Sequence, residues 1–159
     1  EIPNISDFIY QGSEWGLSVI FNPAPFTDAV HDYPLKKVDT LILNENEARS
    51  LLGHRRAADT PANLVQGLWD LTGVERIILT LGAAGVLCLA EGSLTAGESD
   101  PAEAVDTTAA GDTFIGYYVA AVAEGADCAA ALETATAAAA TCVSSHDAMD
   151  SIPWARDLP

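Results

Sequence analysis

An α/β fold is the class this sequence predicts: a three-layer αβα arrangement of Rossmann-like kind, built on a mainly parallel sheet. Two observations carry that prediction. Short apolar runs of strand length alternate with segments whose apolar residues recur at helical spacing, and the joints between them carry helix-start and turn residues. Length and composition agree, because 159 residues with 49% apolar side chains can close one hydrophobic core.

Taken in order, Ile5, Phe8, Ile9, Trp15 and Leu17 predict an amphipathic helix that leads into the apolar run 18–21, which reads as a buried strand. Asn22-Pro23-Ala24-Pro25 ends that strand with a stiff connection at a place where open α/β sheets keep their ligands, although a plain strand breaker would look the same. Residues 40–43 form a second apolar strand, and Asn44-Glu45-Asn46-Glu47 opens a helix through Ala48, Leu51 and Leu52 to Gly53. Acids in that first turn suit the helix dipole, so capping alone accounts for them. Thr60-Pro61 begins a third helix, marked by Leu64, Leu68 and Leu71 and closed by Gly73.

A strand at 76–81 follows, then the turn Gly82-Ala83-Ala84-Gly85 and a strand at 86–90; by itself LTLGAAGV suits a plain hairpin equally well. Residues 91–104 predict short edge strands and turns. The stretch 105–118, VDTTAAGDTFIGYY, is a loop running into a helix with apolar positions at Phe114, Ile115, Val119 and Val122. Alanine-rich residues 127–144 make a last long helix, whose small side chains let neighbours approach closely.

Seven Lys+Arg against 23 Asp+Glu leave a net charge of −16, which argues against nucleic acid or an anionic membrane as partner. A phosphate site must then rely on backbone amides and metal ions. Cys88, Cys128 and Cys142 are odd in number, widely spaced and set among apolar residues, as expected of buried free thiols in a reducing, cytoplasmic compartment. His31, His54 and His146 share no ligand spacing and read as surface or loop residues. Neither a signal peptide nor a transmembrane run is expected, since Glu124, Asp127 and Glu133 interrupt the Ala-rich stretch. The sequence begins at Glu1 without an initiator Met, as expected of a fragment or processed product.

The chemistry concentrates at Ala109, Ala110, Gly111 and Asp112. The first turn of a helix has unpartnered N–H groups and the positive end of the dipole, so it can hold a phosphate, and small residues let the backbone come close. A carboxylate is awkward beside an anion, which suggests that Asp112 acts on a neighbouring hydroxyl. An acid that merely favours a helix start after a tight turn is the alternative, and spacing alone leaves both open.

VDTTAAGDTF resembles the C-terminal signature of the ribokinase, or PfkB, family of carbohydrate kinases, DTxGAGD in its common form, with Ala109 where many members have Gly. NPAP, NxxE at Asn44 and Glu47, and TLGxxG at residues 80–85 are similar to segments of the same family in the same order. The resemblance covers nearly the whole chain, up to Ser151-Ile152-Pro153-Trp154. It implies that Asp112 is the catalytic base and that Ala109, Ala110 and Gly111 form an anion hole. It further implies that Asn44, Thr80, Gly82, Gly85 and Thr136 lie beside ATP and that Glu47 organises Mg²⁺ through water. Asp106, Thr108, Val143, Asp147 and Ser151 would hold a monovalent cation such as K⁺. Asp147 departs from the pattern, standing where Gly is usual.

Residues 1–159 are therefore expected to be a single partial domain, the C-terminal nucleotide-binding half of a ribokinase-like fold with the N-terminal half and its lid missing. The implied reaction is transfer of the ATP γ-phosphoryl to the 5-hydroxyl of D-ribose, with the isolated chain a poor catalyst. A homodimer through the lid is the implied assembly. Two rival readings stand beside it: another PfkB-family sugar or nucleoside kinase, and a truncated nucleotide-binding domain without turnover.

Overall fold

The computed structural model describes residues 3–53, 60–99, 106–144 and 151–158. Helix α1 spans Ile5–Glu14, with Asp7 in its first turn where the dipole favours an acid. Ile9 is its one buried side chain, whereas Phe8 and, beyond the helix, Trp15 and Leu17 are exposed. The apolar stripe expected to face a core thus lies largely in solvent. The strand expected at 18–21 shrinks to β1, Ile20–Phe21, which is half-buried rather than buried because it sits at the sheet edge with one neighbour.

Strand β2, Thr40–Asn44, pairs in parallel with β1 and with β3, Arg76–Thr80. Leu41, Ile42, Leu43, Ile77, Ile78 and Leu79 are at most 1% exposed, so these strands read as unbroken apolar runs because both faces are covered. Helices α2, Glu45–Leu52, and α3, Pro61–Thr72, pack on each other and on β2 and β3. They supply the crossover that a parallel pair requires. Thr60 caps α3 by accepting from the Asn63 N–H, and Gly73 ends it in the left-handed region at φ 67°. Leu64, Val65 and Leu68 carry its buried face, whereas Leu71, expected among them, is 42% exposed.

Strands β4, Val86–Ala90, and β5, Ser93–Gly97, complete the sheet order β1-β2-β3-β4-β5. Glu91 and Gly92, at φ 51° and 75°, join them in a two-residue turn, a connection available only to antiparallel neighbours. The mainly parallel arrangement therefore holds from β1 to β3 and stops where the chain no longer supplies crossovers; the sheet is mixed.

Two compact units share the chain, one taking Glu1–Thr80 and Leu87–Thr95, the other Leu81–Val86 and Ala96–Pro159. In the second, α4, Ala110–Ala123, packs along α5, Cys128–Cys142. Asp127 caps α5 by accepting from the Ala130 N–H at 2.9 Å. Buried Ala131, Ala135 and Ala138 present little bulk, which lets the two helices come close. Phe114 and Tyr118 stack at 6.4 Å and are buried, but Val119, expected on the apolar stripe, is exposed. Cys88 and Cys142 are buried; Cys128 is only half-buried at the start of α5. His31 is exposed, as expected, and His54 and His146 lie outside the described residues. No described helix is long and apolar enough to cross a membrane.

Charge sets the conditions under which this fold persists. Lys37 bonds Glu14 at 2.7 Å, and that hydrogen bond holds its ammonium above the ordinary lysine value. Such exposed pairs do little to offset a net charge of −16. Salt should therefore stabilise the protein, since the screening length falls from ~30 Å at 0.01 M to ~3 Å at 1 M. The melting temperature is expected to rise by at least about 2–4 °C over that range, the shift given by ~1 kcal/mol in a domain of this size. A flat or falling temperature in a NaCl series would contradict it.

Candidate active site

In the first unit, Asn44 and Thr80 are register partners at the last positions of β2 and β3. Two residues 36 apart in sequence thus stand side by side at the C-terminal ends of parallel strands, the end where α/β sheets bind ligands. Asn44 is also the N-cap of α2. Its Oδ1 accepts from the Glu47 N–H at 3.0 Å, and Glu47 Oε2 accepts from the Asn44 N–H at 2.9 Å. This reciprocal pair stabilises the helix start by about 1 kcal/mol. It also fixes the Glu47 carboxylate through one oxygen, leaving Oε1 without a partner among the described residues. One such oxygen, acting through solvent, fits a hydrated Mg²⁺. Upstream, Asn22 Nδ2 donates to the Ile42 carbonyl at 2.8 Å and ties the NPAP segment to β2.

In the second unit, residues 81–86 form a tight loop around the 3₁₀ turn Gly82–Ala84. The Leu81 N–H donates to the Gly85 carbonyl at 2.8 Å and the Gly85 N–H to the Gly82 carbonyl at 3.0 Å. Gly85 has φ 89°, and a Cβ there would overlap the Gly97 carbonyl oxygen. Gly97 in turn lies by α5: a Cβ added to it would stand 3.9 Å from Thr136 Oγ1. Thr134, Thr141 and Ser144 each donate to the carbonyl four residues earlier, but Thr136 Oγ1 is buried with no partner among the described residues. An orphaned buried hydroxyl costs about 1–3 kcal/mol and is resolved by a ligand or water. Thr136 therefore fits a polar ligand group beside the 81–86 loop.

Helix α4 begins from Ala109, at φ 64°, with no side-chain cap. Ala109 accepts from the Thr113 N–H at 2.8 Å, and the Ala110 N–H makes a long 3.3 Å bond to the Thr107 carbonyl. No acceptor within the described residues takes the Gly111 N–H. Asp112 follows it in the same turn, exposed. Three of the residues predicted for a monovalent cation, Asp106, Thr108 and Val143, are hydrogen-bonded to one another just ahead of this turn. Asp106 Oδ1 accepts from the Thr108 N–H at 2.8 Å, and the Asp106 N–H donates to the Val143 carbonyl at 3.3 Å. Ser151 is buried. The Asp106 carboxylate, the Thr108 and Val143 carbonyls and the Ser151 hydroxyl are all oxygen groups, the donor chemistry a hard cation takes. Asp147 lies outside the described residues.

Sequence reasoning passed over three members of this neighbourhood. Gly97 falls in the 91–104 stretch of edge strands and turns, Cys142 among the buried free thiols, and Thr113 has no assigned role. Their partners are 9 to 39 residues away. No local pattern could have found them.

The pfkB family carbohydrate kinase model matches residues 11–155. The ribokinase of Haemophilus influenzae is 36% identical over 138 residues, covering 87% of this chain and 45% of that protein. The ribokinase of Staphylococcus aureus is 30% identical over 158 residues, covering 99% of this chain and 52% of its own length. The structure of Arabidopsis thaliana ribokinase complexed with ribose and ATP superposes with a TM-score of 0.84 at 28% identity, covering 93% of this chain and 48% of that one. The chain spans about half the length of the curated relatives it matches.

Proposed function

The chain belongs to the pfkB family of carbohydrate kinases, and from that premise we propose that residues 1–159 are the C-terminal, ATP-binding half of a ribokinase-type kinase of the cytoplasm. The reaction is transfer of the ATP γ-phosphoryl to the 5-hydroxyl of D-ribose. One observation carries the reading: Asn44 and Thr80 are paired at adjacent strand ends, where a nucleotide bound to an α/β sheet is expected. The relative solved with ribose and ATP, at 28% identity, supports the substrate class.

In this reading the Asp112 carboxylate takes the proton of the sugar hydroxyl as that oxygen bonds the γ-phosphorus. The bond from phosphorus to the β–γ bridging oxygen breaks, and ADP leaves with the electron pair. Ala109 turns the backbone so that the N–H groups of Ala110 and Gly111, at the positive end of α4, serve the transferring anion. Ala110 gives up its long bond to Thr107 to do so. Asn44, Thr80, Gly82, Gly85 and Thr136 line the nucleotide. Glu47 would hold Mg²⁺ through water, and the metal would supply neutralisation of phosphate charge. Asp106, Thr108, Val143 and Ser151, with Asp147, would hold K⁺, which would supply positive charge to the transferring anion.

MgATP binding by the chain, followed by an acceptor screen with ribose, fructose and adenosine read as ADP release, tests the function. Alone, the 159 residues should turn over far below the ~1–10³ s⁻¹ of ordinary enzymes, because sugar orientation and water exclusion draw on groups outside them. In a longer polypeptide that includes them, ribose should rank first among the acceptors. MgATP binding with no acceptor raising ADP release there would favour a nucleotide-binding domain without turnover.

Glu47 separates its two roles under substitution. Glu47→Gln keeps a capping-box side chain, so the melting temperature should hold while the Mg²⁺ needed for nucleotide binding rises roughly 10–100-fold. An unchanged Mg²⁺ titration would leave Glu47 as a helix cap only.

A further inference from the structure

We propose that Cys142 is a positioning residue that ties the proposed cation donors Thr108 and Ser151 to the first turn of α4. The inference rests on the kinase reading above and concerns a side chain to which that reading gives no task. Cys142 is the last residue of α5 and is fully buried. Its Sγ lies 3.4 Å from Thr113 Oγ1, 3.2 Å from Ser151 Oγ and 3.9 Å from the Thr108 carbonyl oxygen. Residues on either side of the start of α4 and Ser151 beyond α5 therefore meet at one sulfur.

Counting protons gives the network a direction. The Thr108 carbonyl can only accept and a thiol has a single proton, so the Cys142 S–H donates to Thr108. The hydroxyls of Thr113 and Ser151 then both donate into the sulfur. A Ser151 hydroxyl committed in this way turns its lone pairs away from Cys142, the polarity a cation ligand needs. Thr108 and Ser151 are two of the proposed cation donors, and Thr113 directly follows Asp112. Any shift of the cation donors is thus passed through Cys142 to the turn that carries the base, while the next residue, Val143, accepts the Asp106 N–H. Alanine at 142 would leave two buried hydroxyls without an acceptor and the Thr108 carbonyl without a donor.

The test is made on the 159-residue chain. MgADP binding is measured calorimetrically across a KCl series, with choline chloride holding the ionic strength constant, and the K⁺-dependent rise in melting temperature is followed in parallel. Cys142→Ala should raise the K⁺ midpoint about three- to tenfold. Cys142→Ser, which keeps one donor and two acceptor positions, should restore most of it. Thr113→Val, similar in shape but without the hydroxyl, should move the midpoint in the same direction as Cys142→Ala. A purely packing role would lower the melting temperature and leave the K⁺ midpoint in place. Superimposable K⁺ curves for wild type and Cys142→Ala overturn the proposal and leave the kinase reading intact. MgADP binding without a K⁺ response in the wild type overturns both the cation site and this role, but not the nucleotide site. Should MgADP fail to bind, the melting temperature in K⁺ decides alone: a shifted midpoint supports the role and an unshifted one overturns it. Should Cys142→Ala fail to fold, Thr113→Val and Cys142→Ser carry the same comparison.

Discussion

Asp112→Asn is expected to lower kcat by ~10²–10⁴-fold, the usual contribution of a positioned general base, in any polypeptide that contains these residues and phosphorylates sugar. Asparagine keeps the shape of the side chain and removes its capacity to take a proton. The fold should tolerate the change, because Asp112 is exposed and makes no cap within its helix. What stability it contributes comes from an acid near a helix N-terminus, about 0.3–1 kcal/mol. ATP affinity should hold or tighten slightly, since a negative charge leaves the neighbourhood of the phosphates. Steady-state kinetics with saturating sugar and varied ATP read both effects at once. An Asn variant with kcat within about threefold of wild type would remove Asp112 from the mechanism.

Gly85→Ala should be the most damaging small substitution in the 81–86 loop. Two costs combine there. A non-glycine residue at φ 89° is strained, and the new Cβ overlaps the Gly97 carbonyl, a backbone atom that cannot rotate aside. The expected loss is about 3 kcal/mol or more, or roughly 6–12 °C in melting temperature for a domain of this size. Gly82→Ala is the control. Its φ is also positive, 58°, but a Cβ there meets nothing within 4 Å, so only the backbone cost of about 1–2 kcal/mol should appear. Equal melting temperatures for the two variants would show that the approach of Gly85 to Gly97 does not matter. In Gly85→Ala the altered loop should also weaken ATP binding, because Gly97 stands between the loop and the Thr136 hydroxyl.

The motif residues were legible because their signals are local. Asn44 and Glu47 lie three apart and form the capping pair that such spacing allows. Ala109-Ala110-Gly111-Asp112 announces a loop running into a helix, and the helix begins at Ala110. Thr60-Pro61 and Gly73 bracket α3 as cap chemistry requires. Burial was less legible. Helical spacing names a stripe, but whether neighbouring elements cover it is decided elsewhere in the chain, so Phe8, Trp15, Leu71 and Val119 are exposed despite their place in the pattern.

By itself, then, the sequence determined the succession of strands and helices, their caps, the strong negative charge and the order of the four motifs, all of which depend on residues within a few positions of one another. The tertiary structure decided what no window along the chain contains. It set Asn44 beside Thr80, gave the sheet its mixed direction after β3, brought the Gly85 loop against Gly97 and gathered Thr108, Thr113 and Ser151 around Cys142. The physical reason is that hydrogen bonds and van der Waals contacts act over a few ångströms in space, whatever the separation along the chain. Period and propensity report only which conformation each segment prefers, so the partners of the loop ends, Cys142 among them, follow from how those segments pack.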